Sequence, residues 1–190
     1  MPPHEPVREP TDSTLIRRFL DAGDEFAFRA LHERHTPHLR MLLARLLGSQ
    51  RDELDDIVQD AWLAGCRGLG TFNGTAQFST WLTTIGIRAA WARLNAGRNG
   101  DGYASVSADS PEPDELAAPP LPATTTTIDL ERALDRLNAH QRAVVVLHDV
   151  EGYTHAEIAE QLGLTPANSK VTLFRARGAL RRMLDDGEPR

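Results

Sequence analysis

The residues best placed to do chemistry are charged, and they come in blocks. Between Asp52 and Asp60 five acids (Asp52, Glu53, Asp55, Asp56, Asp60) stand without a base. From Ala61 to Gly100 four arginines (Arg67, Arg88, Arg93, Arg98) follow without an acid, and from Thr165 to Met183 five bases (Lys170, Arg175, Arg177, Arg181, Arg182) do the same. The net charge of −6 hides this segregation and by itself argues against a polyanionic ligand. Two readings are open for each block: a solvated face, or a surface built for a partner of opposite sign. Asp56 and Asp60, four apart on one helix face with Gln59 between them, repel each other by roughly a few tenths of a kcal/mol, which suits a face meant for a basic protein. The bases of the last block would repel one another unless a polyanion faced them.

A second cluster adds aromatic rings to that basicity. Phe72 and Phe78 flank an Asn73-Gly74 turn, and Trp81 follows. Rings on a basic loop stack on unpaired nucleobases at about 1–3 kcal/mol each, while rings so spaced also suit a core. Covalent chemistry has less support. His32, His35 and His38 are spaced so that at most two share a helix face, which fits a half-buried helix better than a metal site. No Walker phosphate loop, dinucleotide-binding glycine pattern or nucleophile with its base is present. The expectation is a binding protein rather than an enzyme, with no cofactor and no metal.

Helices must position these groups. Leu54, Val58, Ala61 and Gly65 recur on one face, widened by Ile57 and Trp62, and the acids lie on the other. Carboxylates in a first turn also suit the helix dipole, so Asp52 and Glu53 need no partner. Thr71 to Gln77 is a break, and a second helix runs from Phe78 through Trp81, Ile85 and Ala89 towards Arg98. Leu15–Leu20 and Phe26–Leu47 carry similar patterns upstream. Downstream, Leu130, Leu134 and Leu137 mark one helix and Gln141–Val150 another, although the run Val144-Val145-Val146 suits a strand equally well. Thr154-His-Ala-Glu157 is a capping box, Gly163 ends the helix it opens, and Thr165-Pro166 starts the next. A short helix, a three-residue glycine turn and a longer basic helix make a helix-turn-helix. In that motif the start of the second helix, here Thr165, Asn168, Ser169, Lys170 and Thr172, meets base edges, and Arg175, Arg177 and Arg181 further along meet phosphates. Gly178 inside this helix costs about 1 kcal/mol relative to alanine.

Composition sets the frame. With 190 residues, 41% hydrophobic and 25% charged, the chain has room for one ordinary domain or two small ones. Residues 101–127, rich in proline, small residues and acid, read as a linker. The fold class is therefore all-α: two small helical domains, 11–98 and 128–184, joined by a flexible acidic Pro-rich linker, the second carrying the helix-turn-helix. The single Cys66 cannot form an internal disulfide, and the longest apolar run, Ala143–Leu147, is too short to insert in a membrane. The opening Met-Pro-Pro-His-Glu-Pro lacks the order of a signal peptide, so a cytoplasmic location is expected.

Taken together, the motifs resemble the bacterial RNA polymerase sigma factors of the small, extracytoplasmic-function type. DELDDIVQDAWLAG and GTFNGTAQFSTWLTTIGIRAAWARL are similar to the family's region two, and LNAHQRAVVVLHDVEGYTHAEIAEQLGL and SKVTLFRARGALRRML to its region four. The resemblance implies that Asp55, Asp56, Gln59 and Asp60 dock on the clamp helices of the polymerase's largest subunit, with the flap as a further contact. It implies that Phe72, Asn73, Gln77, Phe78, Trp81, Arg88 and Arg93 hold the melted minus-ten element, one base flipped into the loop. Region four would read the minus-thirty-five element as duplex, and the linker would thread towards the RNA channel. An anti-sigma protein is a further partner of such factors. Two departures from the family pattern stand out: Arg88 where many relatives have asparagine, and Pro-Ala-Asn-Ser-Lys-Val-Thr in place of the common Gly-Thr-Val-Lys-Ser form. Two rivals predict different behaviour. A helix-turn-helix regulator would bind duplex DNA without polymerase, and an interaction protein would tolerate charge reversal at Arg175 and Arg177.

Overall fold

A computed structural model describes residues 9–96 and 127–185. These form eight α-helices and no strand among the described residues: α1 (Asp12–Ala22), α2 (Glu25–Leu47), α3 (Leu54–Gly68), α4 (Phe78–Ala96), α5 (Thr127–Arg136), α6 (Ala139–Val145), α7 (His155–Leu162) and α8 (Pro166–Asp185). Single 3₁₀ turns, Arg51–Glu53 and Leu69–Thr71, lead into and out of α3. The linker read over 101–127 lies outside the described residues except for Thr127, which opens α5; a threonine starts a helix as readily as it ends a loop.

Local chemistry sets the helix ends. The Asp24 carboxylate accepts from the backbone N–H of Phe26 at 3.0 Å and Ala27 at 3.2 Å, and Gly23 at φ 62° closes α1 before it. Thr154 and Glu157 close both halves of the capping box that the sequence announces, and Gly163 ends α7 in the left-handed region. The Thr165 hydroxyl accepts from the Asn168 N–H at 3.1 Å, capping α8.

Four helices build the first domain. Leu31, Leu39, Leu42 and Leu43 of α2, Ile57 and Ala61 of α3, and Leu82 and Ile87 of α4 are buried together. Helix α4 approaches α2 closely at Gly86, where a Cβ would lie 2.7 Å from Leu39 Cδ1. The second domain packs α8 across α5, α6 and α7. Val144, Val145 and Val146 are helical: all three are buried, so packing outweighs their β-branched preference for strand. Helix α6 ends in a widened turn over Val146–Val150, with Glu151 N–H donating to Val146 O at 3.1 Å.

The two domains pack against each other. The buried Arg142 guanidinium of α6 donates to the carbonyls of Leu46 (3.0 Å) and Leu47 (3.2 Å) at the end of α2, and to Leu137 O (3.1 Å) in its own domain. A cation there answers both the carbonyls of the last turn, of which Leu47 O also accepts from the Gln50 N–H at 3.1 Å, and the negative end of the helix dipole. Gly48, at φ 58°, leaves room for it: a Cβ would meet Arg142 Cζ at 2.8 Å. Trp91 Nε1 donates to Leu162 O at 3.2 Å, its ring stands edge-on to His140, and Thr83 and Tyr153 share a hydroxyl hydrogen bond at 3.2 Å.

Candidate functional site

Helix α3 turns Leu54, Ile57, Val58, Ala61 and Trp62 inward and leaves Asp55, Asp56, Gln59 and Asp60 exposed, so the acidic residues share one solvent face. Asp55 pairs with Arg40 of α2. On the neighbouring helix Arg93 reaches back across to Glu53 and, at 3.4 Å, to Asp60. The Glu53 hydrogen bond first, then its charge, raises the Arg93 guanidinium above its ordinary value, with Asp60 adding to the effect. A shallow cleft lined by Leu47, Glu53, Ile57, Arg93 and Leu94 opens beside this pair.

The loop after α3 rests on an aromatic bed. Phe78 stacks obliquely or edge-on with Phe72 (5.7 Å between centroids), Trp81 (5.7 Å) and Trp62 (6.3 Å). Phe78 is 4% exposed, which corrects its placement among base-contacting residues: it is core, and it carries the half-buried Phe72 and Trp81 above it. Asn73 folds the loop tip by accepting from Thr75 N–H (3.1 Å) and Oγ1 (2.8 Å). Gly74, at φ 72°, takes the conformation that glycine adopts without strain, and Asn73 and Gln77 stay exposed. Arg88 is engaged from the other domain: its Nε donates to Gln161 Oε1 at 2.9 Å and its Nη2 to Glu160 Oε1 at 3.1 Å.

On α8 the predicted set divides. Lys170 and Arg175 are exposed, while Asn168, Thr172 and Arg181 are half-buried. Thr165 is exposed, but its hydroxyl serves as the helix cap. Ser169 is fully buried, its hydroxyl 2.9 Å from His155 Nδ1, so its placement at a base edge is corrected: it joins α8 to α7. Arg177 is turned to Asp149 at the end of α6, donating through Nε at 3.0 Å. Burial pushes the Asp149 carboxyl up, but the hydrogen bonds from Arg177 and then His148 outweigh it and hold the group below its usual range. His155, stacked on His148 at 4.6 Å, is lowered first by burial and then by the neighbouring basic side chains His148, Lys170 and Arg177. Phe174, 38% exposed, is an apolar residue off the period of the buried stripe Leu173, Ala176 and Leu180, and it stands on the same helix as the exposed Lys170 and Arg175. Nothing in the structure explains Gly178.

The three histidines of α2 go separate ways: His32 to Phe28 and Trp62, His35 to Asp12, and His38 to Glu151. Among the described residues no three ligating side chains gather around a metal-sized space, and no helix is long and apolar enough to cross a membrane.

Comparison with known proteins returns one family twice. Residues 31–98 match Sigma-70 region 2 and residues 127–180 match Sigma-70, region 4. The ECF RNA polymerase sigma factor SigM of Mycobacterium tuberculosis is 36% identical over 176 residues, covering 93% of this chain and 86% of that protein. The RNA polymerase sigma factor CarQ of Myxococcus xanthus is 32% identical over 91% of this chain and 97% of its own length. Among solved structures, CnrH in complex with the cytosolic domain of CnrY superposes with a TM-score of 0.56 at 25% identity, over 93% of this chain and 99% of that one. The sigma factor RpoE of Bartonella quintana, solved with the anti-sigma factor NepR, superposes at 0.59 and 23% identity, over 85% of this chain and 98% of that one.

Proposed function

This chain belongs to the extracytoplasmic-function RNA polymerase sigma factors, and on that premise we propose how its surfaces divide the work of the family. It binds core RNA polymerase and directs promoter-specific initiation of transcription. In our reading the polymerase supplies the chemistry in the cytoplasm and this protein supplies recognition. Residues 11–98 dock on polymerase and hold the melted minus-ten strand, 128–184 read the minus-thirty-five duplex, and the acidic linker 101–127 runs between them.

The observation that carries this reading is the single domain in which the exposed acids Asp55, Asp56 and Asp60, with Gln59 among them, stand on α3 while an acid-free loop bedded on aromatic rings follows directly after it. A duplex reader needs neither feature. The acidic face suits cations of the clamp helices. The exposed loop tip at Asn73 and Gln77 offers amide groups for a base edge, and the half-buried rings of Phe72 and Trp81 offer faces on which an unstacked base can rest, at about 1–3 kcal/mol per stack. Arg88 and Arg93 add phosphate contacts, which position the strand without reading it. In the second domain Asn168, Lys170 and Thr172 face base edges, Arg175 and Arg181 face phosphates, and Phe174 adds an apolar contact suited to a thymine methyl. Arg177 reaches DNA only by leaving Asp149, and Arg88 only by leaving Glu160 and Gln161 of α7. CnrH is held by the cytosolic domain of CnrY, and we extend to this chain an anti-sigma partner of that kind.

Co-elution with sigma-free core polymerase tests the assignment. Wild-type protein should co-elute in moderate salt, and Asp56→Arg with Asp60→Arg should abolish binding while leaving the helical circular dichroism unchanged. Retained binding by that variant removes the clamp-docking role of α3.

A further inference from the structure

Arg93 stands on α4, the helix assigned to the promoter, yet its guanidinium is held by two carboxylates from the neighbourhood of α3, the helix assigned to polymerase. One arginine against Glu53 and Asp60 leaves that spot with a local charge of −1, which repels a phosphate. The contact is open to solvent: the side chains are 47% (Arg93), 55% (Glu53) and 54% (Asp60) exposed, so it is a weak pair that a competing cation can displace. Asp60 is also among the acids proposed to meet the clamp. The same carboxylate thus cannot fully serve Arg93 and a polymerase cation at once.

We propose that Arg93 is a promoter contact switched by polymerase: in the free chain Glu53 and Asp60 neutralise it, and their transfer to polymerase cations releases it to the phosphate backbone of the melted strand. The inference rests on the docking and promoter roles proposed above and adds the coupling between them. After transfer the charge that the strand meets at this spot changes from −1 towards +1. Because such coupling is reciprocal, a phosphate at Arg93 strengthens polymerase binding by the factor that polymerase strengthens the phosphate contact. Exposed pairs set the scale at several-fold rather than many orders.

The test is a double-mutant cycle on the full chain at low salt, read by anisotropy of a short fluorescein-labelled single-stranded DNA of mixed sequence. Glu53→Gln with Asp60→Asn should bind the probe about fivefold more tightly than Asp21→Asn with Glu25→Gln, a variant of equal charge change on the same domain that leaves Arg93 paired. In an Arg93→Gln background that gap should close. A gap that persists without Arg93, or no gap with it, overturns the masking. A separate arm keeps the underlying reading apart: holoenzyme carrying Arg93→Gln should bind the probe more weakly than wild-type holoenzyme, with core alone as background. Equal binding there removes Arg93 from the promoter surface and the proposal with it. Weaker binding alongside an unchanged gap sinks the masking alone.

Discussion

The two domains use their candidate residues differently. On α3 each acid proposed to meet polymerase is exposed, because a helix packed on one side hides one stripe and displays the rest. On α8 the proposed DNA contacts are partly consumed by the fold: Thr165 caps the helix, Ser169 is buried against His155, and Arg177 braces Asp149. That helix is wedged against α5, α6 and α7, so little of its circumference is free. The lesson is that residue type and spacing locate a surface well when a helix has one packed face and poorly when it has several.

The strongest way to break this two-domain comparison is at the contact that joins the halves. Arg142→Ala should remove the side-chain donor of the Leu46 and Leu137 carbonyls, leave Leu47 O with the Gln50 N–H alone, and cost about 3 kcal/mol in urea unfolding. An unchanged midpoint would mean that the domains fold independently of their junction. A smaller effect sharpens the contrast within α8. Ser169→Ala should lower stability by about 1 kcal/mol, because the half-buried His155 imidazole loses its hydroxyl partner, while exposed Lys170→Ala should leave stability unchanged and weaken duplex binding. If both variants lost DNA binding equally with full stability, the division drawn on α8 would be wrong.

The smallest expected effect concerns acid. The lowered His155 means that, as pH falls through the ordinary imidazole range, the unfolded chain takes up a proton that the folded chain refuses, so stability drops there. Asp149 has the opposite kind of group but the same direction: its depressed carboxyl contributes stability above the ordinary carboxylate range, lost as pH falls through its folded value. Asp12 and Asp24 of the first domain, also lowered, add only this second, more acidic limb. Amide hydrogen exchange followed from neutral to mildly acidic pH should show α7 and α8 loosening before α2 and α3. His155→Gln should flatten that first limb; if it does not, the imidazole is not its source.

Much of the fold was legible because its signals are local. The capping box at Thr154 and Glu157, the stop at Gly163, the Asn73-Gly74 turn and the alternation of acid and apolar residues along α3 depend on neighbours within a turn or two. They fix helix ends and faces with little help from the rest of the chain. The acidic face of α3 was readable for the same reason.

What only the tertiary structure decided involves partners distant in sequence. The sequence alone left Val144–Val146 between helix and strand, and burial among other helices settled it. Phe78 and Phe72 look equivalent in the chain, yet one is core and the other half-buried: Phe78 packs against Trp62, whereas Phe72 packs on Phe78 and Trp81. No local pattern announces that Gly48 makes space for Arg142, that Glu160 holds Arg88, or that Arg93 answers to Glu53 and Asp60. The sequence by itself determined the helices, their exposed charges and the family they belong to, because propensity and capping act over a few residues. Packing determined which of those charges are free and which are already taken, because a contact between residues tens of positions apart exists only after the chain has closed around it.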